Sequence, residues 1–220
     1  MDSKKSFFVD DAEIKKINNF LKNVYLHENK PKSYYIVTYG CQMNVNDSQK
    51  LANMLDKMGI IEAETNNEAD LIIFNTCCIR ENAERRALGN IMWLKELKKK
   101  KPNLTIAVCG CMVQHKDMLP KLLKQYKFVD IAFGTHNLYT FPEIMLTWLE
   151  KKEQIISISD DHVIAEGLQA KQDSPYQAFL TIMYGCNNFC SYCVVPYVRG
   201  RERSRRFYDI IKDAEILVNN

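Results

Sequence analysis

Leu71-Ile72-Ile73-Phe74-Asn75-Thr76-Cys77-Cys78 opens on an apolar run, ends on two adjacent cysteines and leads into a helix-length segment near Glu81 to Lys100. The run from Leu71 to Asn75 reads as a short strand. The same unit recurs on either side of it. Tyr34 to Tyr39 precedes a helical segment near Asn46 to Met58, Thr105 to Cys109 precedes one near Met118 to Tyr126, and Val129 to Phe133 precedes one near Leu138 to Lys152. This alternation predicts an α/β fold, an open parallel sheet with covering helices, over residues 32–153.

Upstream, Ile14, Ile17, Leu21 and Val24 recur at three- and four-residue steps behind Asp10-Asp11 as a cap. They predict an amphipathic helix that ends near Asn29-Lys30-Pro31, an N-terminal helical extension over residues 1–31. Downstream, Ile155, Ile156 and Ile158 suggest a short strand, and polar, irregular sequence makes 154–175 a linker. A second unit is expected over 176–220: a strand from Phe179 to Tyr184, a cysteine-rich loop, and a helix from about Phe207 to Val218. One such unit cannot close a barrel.

With 220 residues and 46% hydrophobic content, the chain can bury a substantial core. No run approaches the ~18 apolar residues of a membrane span. The start, Met1-Asp2-Ser3-Lys4-Lys5, lacks the apolar stretch of an export signal. A reducing, cytoplasmic setting is therefore expected, and in it eight cysteines speak for metal binding rather than disulfides. A net charge of +3 neither requires nor excludes a nucleic-acid partner.

Two groups of three cysteines carry the chemistry. Cys186-Asn187-Asn188-Phe189-Cys190-Ser191-Tyr192-Cys193 has C-x3-C-x2-C spacing, which suits three corners of a four-iron cube and leaves one iron open to a small molecule. Gly40-Cys41, Thr76-Cys77-Cys78 and Gly110-Cys111 each end a predicted strand. In a parallel sheet the strand C-termini share one edge, so these thiols are expected at a common rim able to hold a second cluster. Cys109 lies inside an apolar run and reads as core, whereas spacing alone does not choose between Cys77 and Cys78. Zinc fits less well, because its structural sites use four ligands, usually in paired knuckles. His27, His115, His136 and His162 are scattered and read as surface or packing residues.

These residues together resemble the tRNA methylthiotransferase family, MiaB type. Thr38-Tyr39-Gly40-Cys41-Gln42-Met43-Asn44 with Asp47-Ser48 resembles its first cysteine motif. Asn75-Thr76-Cys77 with Arg80, Glu81 and Ala83 resembles the second, and Gly110-Cys111-Met112 with Gln114 the third. Cys186 to Cys193, Val195-Pro196-Tyr197 and Arg199-Gly200-Arg201-Glu202-Arg203-Ser204-Arg205 resemble the radical S-adenosylmethionine (SAM) motif and its sequel. The resemblance implies two 4Fe-4S clusters, one on Cys186, Cys190 and Cys193 that cleaves SAM and an auxiliary one on Cys41, Cys77 and Cys111 associated with sulfur transfer. Cys78 and Cys109 are then extra thiols, and Tyr192 lies close to bound SAM.

The resemblance also implies that residues 176–220 begin an incomplete, TIM-like radical SAM barrel, since family members continue through a partial barrel and a small RNA-binding domain. The chain thus resembles an N-terminal portion, inactive alone. The implied reaction adds a methylthio group to C2 of N6-dimethylallyladenosine beside the anticodon of tRNA, an unactivated C–H position that requires radical chemistry. Relatives acting on threonylcarbamoyl-adenosine or a ribosomal-protein aspartate usually carry a lysine near Gln42 or Met43, absent here. Implied partners are tRNA and a reductant such as flavodoxin or ferredoxin, with a monomeric enzyme and no membrane. The competing reading is a non-catalytic iron-sulfur or zinc module that binds RNA or transfers electrons.

No side chains form a conventional acid–base pair. Arg199, Arg201, Arg203, Arg205 and Arg206 either hold RNA phosphates or the SAM carboxylate, with Arg199 the candidate SAM contact, or pair internally with groups such as Glu202 and Asp209. Lys98 to Lys101 reads as a solvated helix end.

Overall fold

A computed structural model describes residues 11–79, 81–160, 163–164 and 166–219. The expectations for Met1 to Lys5, Asp10, Arg80 and His162 lie outside the described residues. The chain runs α1 (Asp11–Leu26), β1 (Ser33–Thr38), α2 (Gln42–Lys57), β2 (Ile61–Glu62), β3 (Leu71–Thr76), α3 (Glu81–Lys100) and β4 (Thr105–Gly110). It continues through α4 (Cys111–Gln114), α5 (Met118–Lys124), β5 (Ile131–Phe133), α6 (Phe141–Lys151), β6 (Ile155–Ser157), β7 (Met183–Tyr184), α7 (Val195–Val198), β8 (Arg203–Ser204) and α8 (Phe207–Asn219).

Six strands form one parallel sheet in the order β2-β1-β3-β4-β5-β6. Every residue of β3 and β4 is buried, as central strands of a two-sided parallel sheet require. Leu71 and Ile73 of β3, with Ala107 and Cys109 of β4, enter the core under α1, α2 and α6. The alternate residues Ile72, Phe74, Ile106 and Val108 enter a second core with Ile91 and Leu94 of α3 and Met118 and Leu122 of α5. Ile17, Leu21 and Val24 of α1 join the first core, so the N-terminal helix packs into the α/β body.

The chain moves from β1 outward to β2, then crosses back to place β3 on the other side of β1. The sheet therefore has a topological switch point between β1 and β3, and ligands of such sheets bind outside the strand C-termini at that point. Thr38 is followed by Gly40-Cys41, and β3 by Cys77.

Several boundaries differ from the sequence expectation. Helix α2 begins at Gln42 rather than near Asn46, because Cys41 has extended backbone and occupies the cap position. The segment expected as one helix near Leu138 to Lys152 is a 3-10 turn over Thr135–Thr140 followed by α6, whose second residue, Pro142, suits a helix start. Strand β2 is short and exposed, with no apolar pattern to mark it. Only Met183–Tyr184 of the expected strand from Phe179 to Tyr184 pairs, antiparallel to Arg203–Ser204. Those two residues are the only partner this chain offers to β7 among the described residues, so 176–219 forms a small ribbon followed by α8, with no barrel strand added to the main sheet. No described helix is long and apolar enough to cross a membrane.

Candidate metal centre

Cys41, Cys77 and Cys111 stand at the C-terminal ends of β1, β3 and β4. Adjacent strands bring them to one rim, and two glycines make the rim tight. Gly40 has φ +123°, and a Cβ on it would lie 2.5 Å from Cys77 Cβ and 3.0 Å from Cys77 Sγ. Gly110, at φ 96° and ψ −166°, occupies a backbone region open essentially to glycine alone, and its Cβ would lie 2.4 Å from the Thr76 carbonyl oxygen. Each glycine precedes a cysteine and lets that cysteine's backbone approach the neighbouring strand end. Gly110→Ala is expected to cost roughly 1–3 kcal/mol from backbone strain, with the steric clash in addition. Urea denaturation of the metal-free chain checks this.

Asn44, fully buried on the first turn of α2, connects the strand ends. Its Nδ2 donates to Asn75 Oδ1 (3.1 Å) and to the Thr76 carbonyl (3.0 Å), and Asn75 Nδ2 donates back to the Asn44 carbonyl (2.8 Å) and to Ser48 Oγ (2.9 Å). Asn44 Oδ1 accepts from the Cys41 thiol at 3.4 Å and from Arg199 Nη2 at 3.2 Å. Arg199 also donates through Nε to Cys111 Sγ at 3.1 Å and through Nη1 to Asp47 Oδ2 at 2.6 Å. The Ile79 amide donates to Cys77 Sγ at 3.4 Å. A continuous polar network thus runs from Cys41 through Asn44 and Arg199 to Cys111, closed beneath by the strand-end asparagine.

All eight cysteines are free. Among the described residues, no three His, Cys, Asp or Glu side chains already stand as a ready-made metal-ion set. The donor chemistry fits an iron-sulfur cluster: three soft thiols, backbone held close by glycine, and N–H donors aimed at sulfur from Arg199 and Ile79. Cys109, 2% exposed, points into the core below the rim. Cys78 is half-buried, and burial first, then its closeness to Cys111 and Cys77, raises its pKa.

Burial pushes the Cys111 thiol up to about 11 against the opposing pull of Arg199, and pushes Cys78 up to about 12. A thiol with a folded pKa above its unfolded value of 9.0 binds more protons when folded. Its contribution is therefore complete below about pH 9 and lost as pH rises toward 11 to 12. The metal-free chain is expected to show a lower urea midpoint at about pH 10.5 than at about pH 8, with a smaller drop in Cys111→Ser.

The second cysteine set lies on the loop between β7 and α7. Cys186 and Cys193 are half-buried and Cys190 is exposed. The Cys186 amide donates to the Gly200 carbonyl (3.1 Å) and the Cys193 amide to the Cys190 carbonyl (2.9 Å), which fixes both ends of the turn. Phe189, at φ 45°, meets Tyr197 edge to face at 5.9 Å, and the Arg201 guanidinium lies 5.0 Å from its ring centre. Tyr192 is 90% exposed at the loop tip.

The arginine run divides by side. Arg199, Arg203 and Arg205 are buried, whereas Arg201 and Arg206 are exposed. Arg199, the candidate SAM contact, places its guanidinium on the rim network of Cys111, Asp47 and Asn44. Arg203 Nη2 donates to the Arg199 carbonyl, and Arg205 joins Glu166, Asp213 and the Thr181 carbonyl. Arg206 pairs with Asp209. Of the lysine run, Lys98 reaches Asp130 and Lys101 reaches the Asn67 and Ala69 carbonyls, so this helix end also anchors the loops beside it.

A family model described as Uncharacterized protein family UPF0004 matches residues 33–134, which contain the three rim cysteines. The chain is 51% identical over 205 residues to a tRNA-2-methylthio-N(6)-dimethylallyladenosine synthase of Clostridium tetani, covering 93% of the chain and 45% of that relative. The chain belongs to the tRNA methylthiotransferase family. A Clostridium perfringens protein of the same name is 55% identical over 189 residues, 86% of the chain and 42% of the relative. One from Alkaliphilus oremlandii is 47% identical over 222 residues, all of the chain and 47% of the relative. The chain thus spans just under half the length of these curated relatives.

The sequence reading gave Asn44, Asp47, Ser48 and Asn75 no role beyond membership of a motif. A signal was present: polar residues at 44, 47 and 48 fall on the same helical stripe as the apolar Leu51 and Leu55. Polar side chains on the sheet-facing side of a helix need buried partners.

Proposed function

We propose that this chain contributes the auxiliary-cluster region and the SAM-loop region of a radical SAM methylthiotransferase acting on tRNA. The observation that carries the reading is the convergence of the three cysteines on one rim, Cys41 and Cys111 joined through Asn44 and Arg199 and Cys77 packed against Gly40. Residues 32–153 would form the auxiliary domain, 154–175 the linker and 176–220 the start of the SAM domain, with 1–31 the N-terminal helical extension. Cys41, Cys77 and Cys111 would hold one 4Fe-4S cluster, and Cys186, Cys190 and Cys193 the second, with SAM beside it near Tyr192. When bound, these groups supply one-electron cleavage of SAM and transfer of sulfur to an unactivated carbon.

The chain's own residues hold and orient. Gly40 and Gly110 let the rim cysteines approach, Asn44 fixes the spacing of the strand ends, and the fully buried floor of β3 and β4 excludes water beneath the site. Arg201, exposed beside Phe189, is available to an RNA phosphate. The substrate would be N6-dimethylallyladenosine beside the anticodon, methylthiolated at C2, with a flavodoxin- or ferredoxin-type reductant, by a monomeric cytoplasmic enzyme. The test is mass analysis of nucleosides from tRNA bearing N6-dimethylallyladenosine, incubated anaerobically with SAM, reductant and a chain of full family length. A gain of one methylthio group on that base supports the reading. Unmodified base despite SAM cleavage contradicts the assigned substrate.

A further inference from the structure

Arg199 belongs by sequence to the SAM-loop region, just beyond Cys193, but its side chain is spent on the other cysteine set. It is 8% exposed, and Asp47, its carboxylate partner, is 6% exposed. The main chain around it is clamped to both regions: Thr135 Oγ1 donates to the Val198 carbonyl at 2.7 Å, and Arg203 Nη2 donates to the Arg199 carbonyl at 2.9 Å. The guanidinium therefore arrives at Cys111 with a fixed position and direction.

We propose that Arg199 is a positioning residue of the rim site, supplied by the second region, that orients Cys111 and sets the reduction potential of the cluster the rim thiols hold. The inference rests on the reading of Cys41, Cys77 and Cys111 as cluster ligands. An N–H donor and a positive charge beside a cluster sulfur stabilise the reduced, more negative state, and burial weakens solvent screening of both effects. Asp47 opposes them from the far side of the same guanidinium. The Arg199–Asp47 pair thus acts as a fixed dipole with its positive end on Cys111. Contact of the SAM-loop region with the sheet rim and the electron affinity of the rim cluster become one property.

The test uses the 220-residue chain with Cys186, Cys190 and Cys193 all replaced by alanine, so that only a rim cluster reports. After anaerobic reconstitution its midpoint potential is measured by a redox titration followed by electron paramagnetic resonance. Arg199→Met is expected to shift the midpoint negative, Arg199→Lys to restore part of the shift, and Asp47→Asn to shift it positive. Opposite signs from the two partners of one ion pair are not produced by loosened packing. Should Arg199→Met fail to fold, Asp47→Asn carries the test alone. An intact cluster whose midpoint is unmoved by the folded variants overturns the proposal and leaves the cluster reading standing. Absence of iron and sulfide from the parent chain overturns the cluster reading itself, and the proposal with it.

Discussion

Alanine at Cys186, Cys190 or Cys193 in a chain of full family length is expected to abolish reductive SAM cleavage, with 5′-deoxyadenosine falling to the level of a cluster-free control. In the proposed site each of the three thiols would hold one corner of a four-iron cube, which would leave the remaining iron to bind the small molecule. Alanine has no donor to offer in place of sulfur, so the loss should be close to complete. The loop is not a structural support for the sheet: it lies outside both hydrophobic cores. Retained secondary structure by circular dichroism, together with lost cleavage, is therefore the expected pair of results. Cleavage at parental rate in any one variant would contradict the ligand assignment.

Alanine at Cys41, Cys77 or Cys111 is expected to do the converse, leaving SAM cleavage in place and stopping methylthio transfer to tRNA. The two cysteine sets lie on different elements, one at the ends of β1, β3 and β4 and the other between β7 and α7. Cys77 and Cys111 are both buried, so their replacement also removes packing. Cys41 is exposed, which makes Cys41→Ala the cleanest of the three. Thiolation of tRNA at the normal rate by the Cys41 variant would remove that residue from the site. Assaying 5′-deoxyadenosine and methylthiolated nucleoside in the same reaction separates the two expectations.

The sheet was legible because its central strands carry continuous apolar runs, Leu71 to Phe74 and Ile106 to Val108, each followed by a helix-length segment. Burial on both faces selects that pattern. Phe179 to Tyr184 carries a similar run but pairs over only two residues, since an apolar stretch becomes a strand only where a neighbouring strand accepts its backbone hydrogen bonds. The cysteines of the candidate site were legible from their place at strand ends. Their partners were not, because Asn44, Asp47 and Arg199 meet through tertiary contacts across more than 150 positions of sequence. Arg199 stood in a row of five arginines, and composition could not say which of them turns inward. Arg199 turns inward to the carboxylate of Asp47 and Arg205 to those of Glu166 and Asp213, while β8 sets Arg203 opposite Tyr184.

Two triplets of thiols, one at the sheet rim and one on the loop after β7, are the core of this account. Iron and acid-labile sulfide per chain, measured after anaerobic reconstitution of the parent and of the Cys41, Cys77 and Cys111 triple alanine variant, test it most directly. About eight irons with matching sulfide in the parent, and about four in the variant, are predicted for two four-iron clusters. Equal iron and sulfide in the two proteins, or zinc without sulfide in the parent, would contradict it.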